Sequence, residues 1–194
     1  MDVIKALKTT LGSDHPVTLT AKANLASTYR NQARLNEAEK LEMDVMNGRK
    51  TNLGPDHPDT LTSMSCLASI FRQQGKLDEA EKLQTDVVNG FKRKLGSDHP
   101  ATLNSMANLA LPYMCQGRWD EAEKLQIDVM KVFKTKLGSE HPDTLITMAH
   151  LASIGFDRGN PRVKSEYPYP YPQKTLPSNE GRGHPTVRVR VMKG

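Results

Sequence analysis

Residues 53–94 read LGPDHPDTLTSMSCLASIFRQQGKLDEAEKLQTDVVNGFKRK, and this stretch decides the fold because it is one copy of a recurring unit. LGSDHPVTL begins at Leu11, LGPDHPDTL at Leu53, LGSDHPATL at Leu95 and LGSEHPDTL at Leu137, each 42 residues after the last. EAEKL returns in the same register at 37–41, 79–83 and 121–125. A constant period of this size marks stacked supersecondary units, each burying its apolar face on the next, rather than one closed core.

Within a unit the apolar pattern is helical twice. Leu61, Met64, Leu67, Ala68 and Phe71 recur at spacings of three and four, the signature of one buried helical face. The acid before each His-Pro (Asp14, Asp56, Asp98 or Glu140) is expected to cap this helix, with Pro16, Pro58, Pro100 and Pro142 in its first turn, where a missing N–H costs nothing. The helix is expected from near Thr18, Thr60, Thr102 and Thr144, and Gly75 and Gly117 close it by taking a left-handed conformation. A second helix opens at Leu77-Asp78-Glu79-Ala80 and buries Leu77, Ala80, Leu83, Val87, Val88 and Phe91. Its acids lead and Lys92, Arg93 and Lys94 trail, which suits the helix dipole.

These readings predict an all-α fold, an α-solenoid of antiparallel helix pairs. The array spans 1–158, with a partial helix at 1–9, repeats from about 11, 53 and 95, and a half repeat from 137. Met1-Asp2-Val3-Ile4 aligns with Met43-Asp44-Val45-Met46, so the chain enters halfway along a second helix. Where Leu77 and Trp119 open second helices, the last unit has Pro161. Residues 159–194, with a Tyr-Pro run at 167–172 and a Gly/Pro/Arg-rich remainder, are expected to form a disordered tail. An array cut this way reads as a fragment of a longer one or a mis-spliced product, able to self-associate through its exposed ends; a tail that folds back over the end, or a missing partner chain, is the alternative.

Charge and chemistry narrow the function. The tail from 161 carries seven Lys or Arg and two acids, which leaves residues 1–160 with twenty of each sign. A neutral array has no electrostatic footprint for specific nucleic acid recognition. Two cysteines are too few for a disulfide framework or zinc site, and no signal peptide or membrane-spanning run is present, so a cytoplasmic protein is expected. His15, His57, His99 and His141 cannot converge on a metal, because stacked equivalent positions lie about 8–10 Å apart, whereas zinc ligands all lie within about 2 Å of the ion. No phosphate loop or catalytic triad pattern appears. An enzyme is therefore not expected, nor are a cofactor, a metal or catalytic residues. Trp119, in the column of Leu35 and Leu77, is expected in the core, and Cys66 and Cys115 as small fillers. Pro112 breaks the helix pattern by deleting a bond to the Asn108 carbonyl, and a kink is expected there.

Leu25-Ala26 with Tyr29, Leu67-Ala68 with Phe71, Leu109-Ala110 with Tyr113, and then Ala38, Ala80 and Ala122 resemble the tetratricopeptide (TPR) repeat pattern. The 42-residue unit with its LG-x-(D/E)-HP-x-TL signature is similar to the kinesin light chain type. It is similar also to repeat arrays of NB-ARC or NACHT-type signalling NTPases. The resemblance implies a right-handed superhelix and a protein–protein interaction scaffold, whose first helices line a concave groove holding an extended peptide. The alternative it implies is a structural fragment of a receptor's sensor array, with no ligand of its own. The positions carried over are Thr20, Asn24, Ser27, Arg30 and Asn31; then Thr62, Cys66, Ser69, Arg72 and Gln73; then Asn104, Asn108, Leu111, Met114 and Cys115. Spacings of three and four place each set on one helical face, which is short and polar. Asn24 and Asn108 suit a peptide backbone because an amide donates and accepts at once. Arg30 and Arg72 suit an acidic or carboxylate-bearing segment.

Overall fold

The computed structural model describes residues 3–157. Among these are eight α-helices: α1 (Val3–Leu11), α2 (Pro16–Asn31), α3 (Leu35–Leu53), α4 (Pro58–Gln73), α5 (Leu77–Leu95), α6 (Pro100–Cys115), α7 (Trp119–Leu137) and α8 (Pro142–Asp157). Each helix packs on its predecessor and successor, and α4 also reaches α6. The result is a TPR-like α-solenoid of helix pairs in which α2–α3, α4–α5 and α6–α7 are successive units and α8 opens a fourth. The expected tail, with the break at Pro161 and the Tyr-Pro run, lies outside the described residues.

The start of each first helix differs from the sequence expectation in an instructive way. The histidine, not the acid before it, caps the helix. Nδ1 of His15, His57, His99 and His141 accepts the backbone N–H two residues on, at 3.1–3.2 Å. The acids turn to other work: Asp56 pairs with Arg93 at 2.6 Å and Asp98 with Lys136 at 3.0 Å. With the cap at His, these helices begin at Pro, two residues before the threonine. The threonine is buried and ties the loop shut, its hydroxyl donating to the carbonyl of the glycine that ends the previous helix. Thr60 bonds Gly54 at 2.9 Å, Thr102 bonds Gly96 at 2.7 Å and Thr144 bonds Gly138 at 2.8 Å. Thr18 is equally buried, and its hydroxyl has no partner among the described residues.

The turn inside each unit is a Schellman closure. The N–H of Arg34, Lys76 and Arg118 donates to the carbonyl of Tyr29, Phe71 and Tyr113, each at 2.9 Å. The basic side chain of the same residue then lies over that aromatic ring, 4.0, 5.2 and 4.3 Å from its centroid, a cation–π contact. This geometry needs a positive φ at the preceding residue. Gly75 and Gly117 supply it at 80° and 75°, but the first unit uses Ala33 at 59°.

The core includes a row of small clusters along the stack. Leu61, Val87 and Phe91 form one, Leu103, Ala107, Val129 and Phe133 the next, and Ala110, Ala122 and Ile154 a third, with Trp119 half-buried at its edge. The stripe of the second helix passes over Gln84, 3% exposed, whereas Leu77 and Leu83 are only half-buried. Gly90 sits where Leu61 closes in, so that a Cβ would lie 2.5 Å from the Leu61 Cδ2. Pro112 is buried inside α6, which runs through it from Pro100 to Cys115. Its column holds Ile70 and Ile154, each at most 1% exposed.

Ala33→Gly should stabilise the fold by about 1 kcal/mol, because a β-carbon in the left-handed region costs roughly that much; an unchanged urea midpoint would refute the strain at this turn. Pro112→Ile should add about 2–3 kcal/mol by restoring the bond to the Asn108 carbonyl and the methyls its column otherwise buries; a lower unfolding midpoint would show that α6 depends on the proline.

Candidate functional site

The contact between α4 and α6 sets first helices of neighbouring units side by side, so one wall of the stack is built from first helices. On that wall Thr20, Asn24, Ser27, Asn31, Thr62, Gln73, Asn104 and Asn108 are exposed, and Arg30, Ser69 and Arg72 are half-buried. The hydroxyls of Thr20 and Thr62 are committed to their own helices, donating to Pro16 and Pro58 carbonyls at 2.9 and 2.8 Å. A cavity of about 230 Å³ opens into the wall and gathers Arg30, Ser69, Arg72 and Asn108 with Cys66 and Leu111. Thr20, Asn24, Ser27, Asn31, Thr62, Gln73 and Asn104 do not line it.

Five further residues line the cavity: Ser65, Ala68, Ala80, Gln84 and Pro112. Gln84 on α5 spans two first helices, accepting from the Ser65 hydroxyl at 3.1 Å and donating to the Ser105 carbonyl at 3.0 Å. Gln126 repeats the bridge one unit on, donating to the Ala107 carbonyl at 3.0 Å and lying 3.3 Å from Nδ1 of His150. Burial lowers the His150 pKa, so near neutral pH its uncharged ring can accept from that amide. Among the described residues neither Arg30 nor Arg72 has a carboxylate within ion-pair distance.

The first unit departs from this scheme. Where later units place Met, Gln and Phe, it places Lys22, Glu42 and Arg49. Lys22 is 1% exposed, donates to the Ser13 hydroxyl at 3.0 Å and lies 3.6 Å from Asp44. Arg49 donates to the Ser63 hydroxyl at 2.7 Å and the Asp59 carbonyl at 3.2 Å. Glu42 is 3% exposed. Burial pushes its carboxyl up to about 7, against the opposing pull of Arg49 and then Arg30. Burial, and then Glu42 itself, also raises the Cys66 thiol, which keeps it protonated and unsuited to nucleophilic chemistry. The signal for Glu42 was present in the sequence: position 84 falls four residues after Ala80 and three before Val87, on the buried stripe.

Among the described residues no group of His, Cys, Asp and Glu is arranged to hold a metal ion, and no helix is long and apolar enough to cross a membrane.

Glu42 costs stability as it ionises. Its folded pKa lies above the unfolded value, so its contribution is fully present below about pH 4.5 and is lost as the pH rises through about 7. Glu42→Gln should therefore be more stable than the parent at pH 8 by on the order of 3 kcal/mol, the gap shrinking to within about 1 kcal/mol at pH 5. Urea unfolding at both pH values checks this, and a pH-independent gap would refute it.

Two family models, both described as tetratricopeptide repeat, match residues 18–59 and 102–143 and residues 59–111. No curated protein sequence matches at a significant level. Among solved structures, the chain is similar to the nearly identical TPR-like repeats of a Podosopora anserina protein described as a kinesin light chain. A single-substitution form of that protein gives a TM-score of 0.73 at 32% identity over 85% of this chain and 78% of that one. A second structure of the same protein gives 0.71 at 31% identity, with the same coverage. BtubC (BKLC) from P. vanneervenii shares the fold at 17% identity, with a TM-score of 0.65 over 91% of this chain and 71% of that one. Such repeats are a protein-interaction scaffold and generally carry no enzymatic activity. The chain belongs to the tetratricopeptide repeat family, its 42-residue units being of the kinesin light chain-like type.

Proposed function

We propose that the chain holds an extended segment of a partner protein along the wall of first helices, with acidic side chains of that segment set against Arg30 and Arg72. One observation carries this reading. Two guanidinium groups from successive units line one cavity with no ion-pair partner among the described residues, beside the amide of Asn108 and the hydroxyl of Ser69. An arginine left without a carboxylate on a wall of short polar residues favours an anionic ligand, because charge-assisted bonds to it are stronger than neutral ones. The exposed amides of Asn24, Asn104 and Asn108 supply paired donors and acceptors to an extended backbone.

The test is binding of labelled acidic and neutral peptides by fluorescence anisotropy. A variant carrying Asn24→Ala, Arg30→Ala and Arg72→Ala should lose at least about tenfold in affinity for the acidic peptide, since charge-assisted bonds contribute about 1.5–3 kcal/mol each. Its helical circular dichroism should be unchanged. Full retention of affinity would refute the assignment.

A further inference from the structure

Glu42 is a buried carboxyl set among the arginines of the first unit. It lies on α3, 3% exposed, with no hydrogen bond to any described residue. In the two later units the same position is glutamine: both ends of the Gln84 amide are engaged, bridging Ser65 and Ser105, and the Gln126 nitrogen reaches Ala107 while its oxygen has no partner among the described residues. The replacement of an amide by an acid at a buried site exchanges a fixed bridge for a group that can carry a proton. Its electrostatic neighbours tie it to the wall. Arg30 on α2 and Cys66 on α4 both interact with it, and both line the cavity under the wall.

Among the other charged groups on the three helices around Glu42, Lys40 and Lys50 stand exposed on α3. Arg49 on α3 faces it and is hydrogen-bonded to α4 through Ser63 and Asp59. Lys22 on α2 is engaged with Ser13 and Asp44, Glu39 with Gln74 and Lys76, and Glu37 with Arg34. Asp59 lies beside His57, and Arg72 lines the cavity.

We propose that Glu42 makes the grip of this wall on an anionic ligand proton-linked: an anion docking against Arg30 drives a proton onto the Glu42 carboxyl, and affinity falls as that proton is lost. The proposal rests on the acidic-segment reading above. When Glu42 is ionised, its charge offsets Arg30 and repels an incoming carboxylate across a poorly solvated interior. When it is protonated, the charge of Arg30 acts undiminished on the ligand. The bound anion in turn disfavours the Glu42 carboxylate, so proton uptake and ligand binding reinforce each other reciprocally. With the free carboxyl titrating near 7, affinity is greatest below that value and declines above it.

The experiment measures, with the full chain, anisotropy of a fluorescein-labelled hexaglutamate peptide between pH 6 and 8.5, with hexaglutamine as the neutral control. The parent should bind hexaglutamate about five- to tenfold more weakly at pH 8.5 than at pH 6. Glu42→Gln should hold the low-pH affinity throughout. Equal parent binding at both pH values, or a pH dependence that survives in Glu42→Gln, overturns the linkage while leaving the acidic-segment reading in place. Absence of hexaglutamate binding at every pH overturns both. Carbon-13 NMR of the Glu42 carboxyl gives an independent reading: its midpoint should rise on peptide addition, and a fixed or falling midpoint overturns the proposal.

Discussion

Close approach at alanine holds the stack together. Ala26, Ala68, Ala110 and Ala152 on first helices, and Ala38, Ala80 and Ala122 on second helices, are all at most 4% exposed. A methyl at each of these points lets neighbouring helices approach closely, and larger side chains fill the space on either side. Gly90 serves the same need against Leu61, where even a β-carbon would collide. Among the described residues no central core exists to compensate if one contact is pushed apart. Each interface stands on its own few residues, as expected for a quasi-one-dimensional protein.

Polar ties then align each unit with the next and brace it within itself. Lys76 reaches back into the preceding unit to Glu39 at 3.0 Å and Arg118 likewise to Glu81 at 2.6 Å, while Arg93–Asp56 and Lys136–Asp98 each join the end of a second helix to the start of the first helix of its own unit. The first two pairs fall at equivalent positions 42 residues apart, so that geometry recurs along the array. These pairs are substantially exposed, and each contributes about 0–1 kcal/mol at most. Their role is alignment, since a unit that slipped along its neighbour would break the pair that joins the two.

Most of the fold was legible in the sequence because the period, the Gly-terminated turns and the alternation of apolar positions all agreed. What escaped had physical reasons. The acid before His-Pro is a good capping residue in isolation, but imidazole Nδ1 lies nearer the first free N–H, and the acids reach basic residues at the end of the following second helix instead. Leu83 looked like a core residue by type, yet the helical phase turns Gln84 inward. The site was legible only as a face. Which of its members share a cavity depends on the packing of α4 against its neighbours, and no single-helix spacing encodes that. Lys22, Glu42 and Arg49 were hidden for a simpler reason: charged residues read as surface until their columns are compared with Met, Gln and Phe.

The columns also give the wall a direction. At one position successive first helices carry Arg30, Arg72 and Met114, and at another Ser27, Ser69 and Leu111. Charge and polarity therefore run down from the first unit to the third, although the backbone beneath repeats. A chain lying along this surface cannot slide by one unit or turn end for end without exchanging a cation for a thioether. On the proposed reading, repetition builds the track, and the departures from repetition would set where an occupant stops and which way it points.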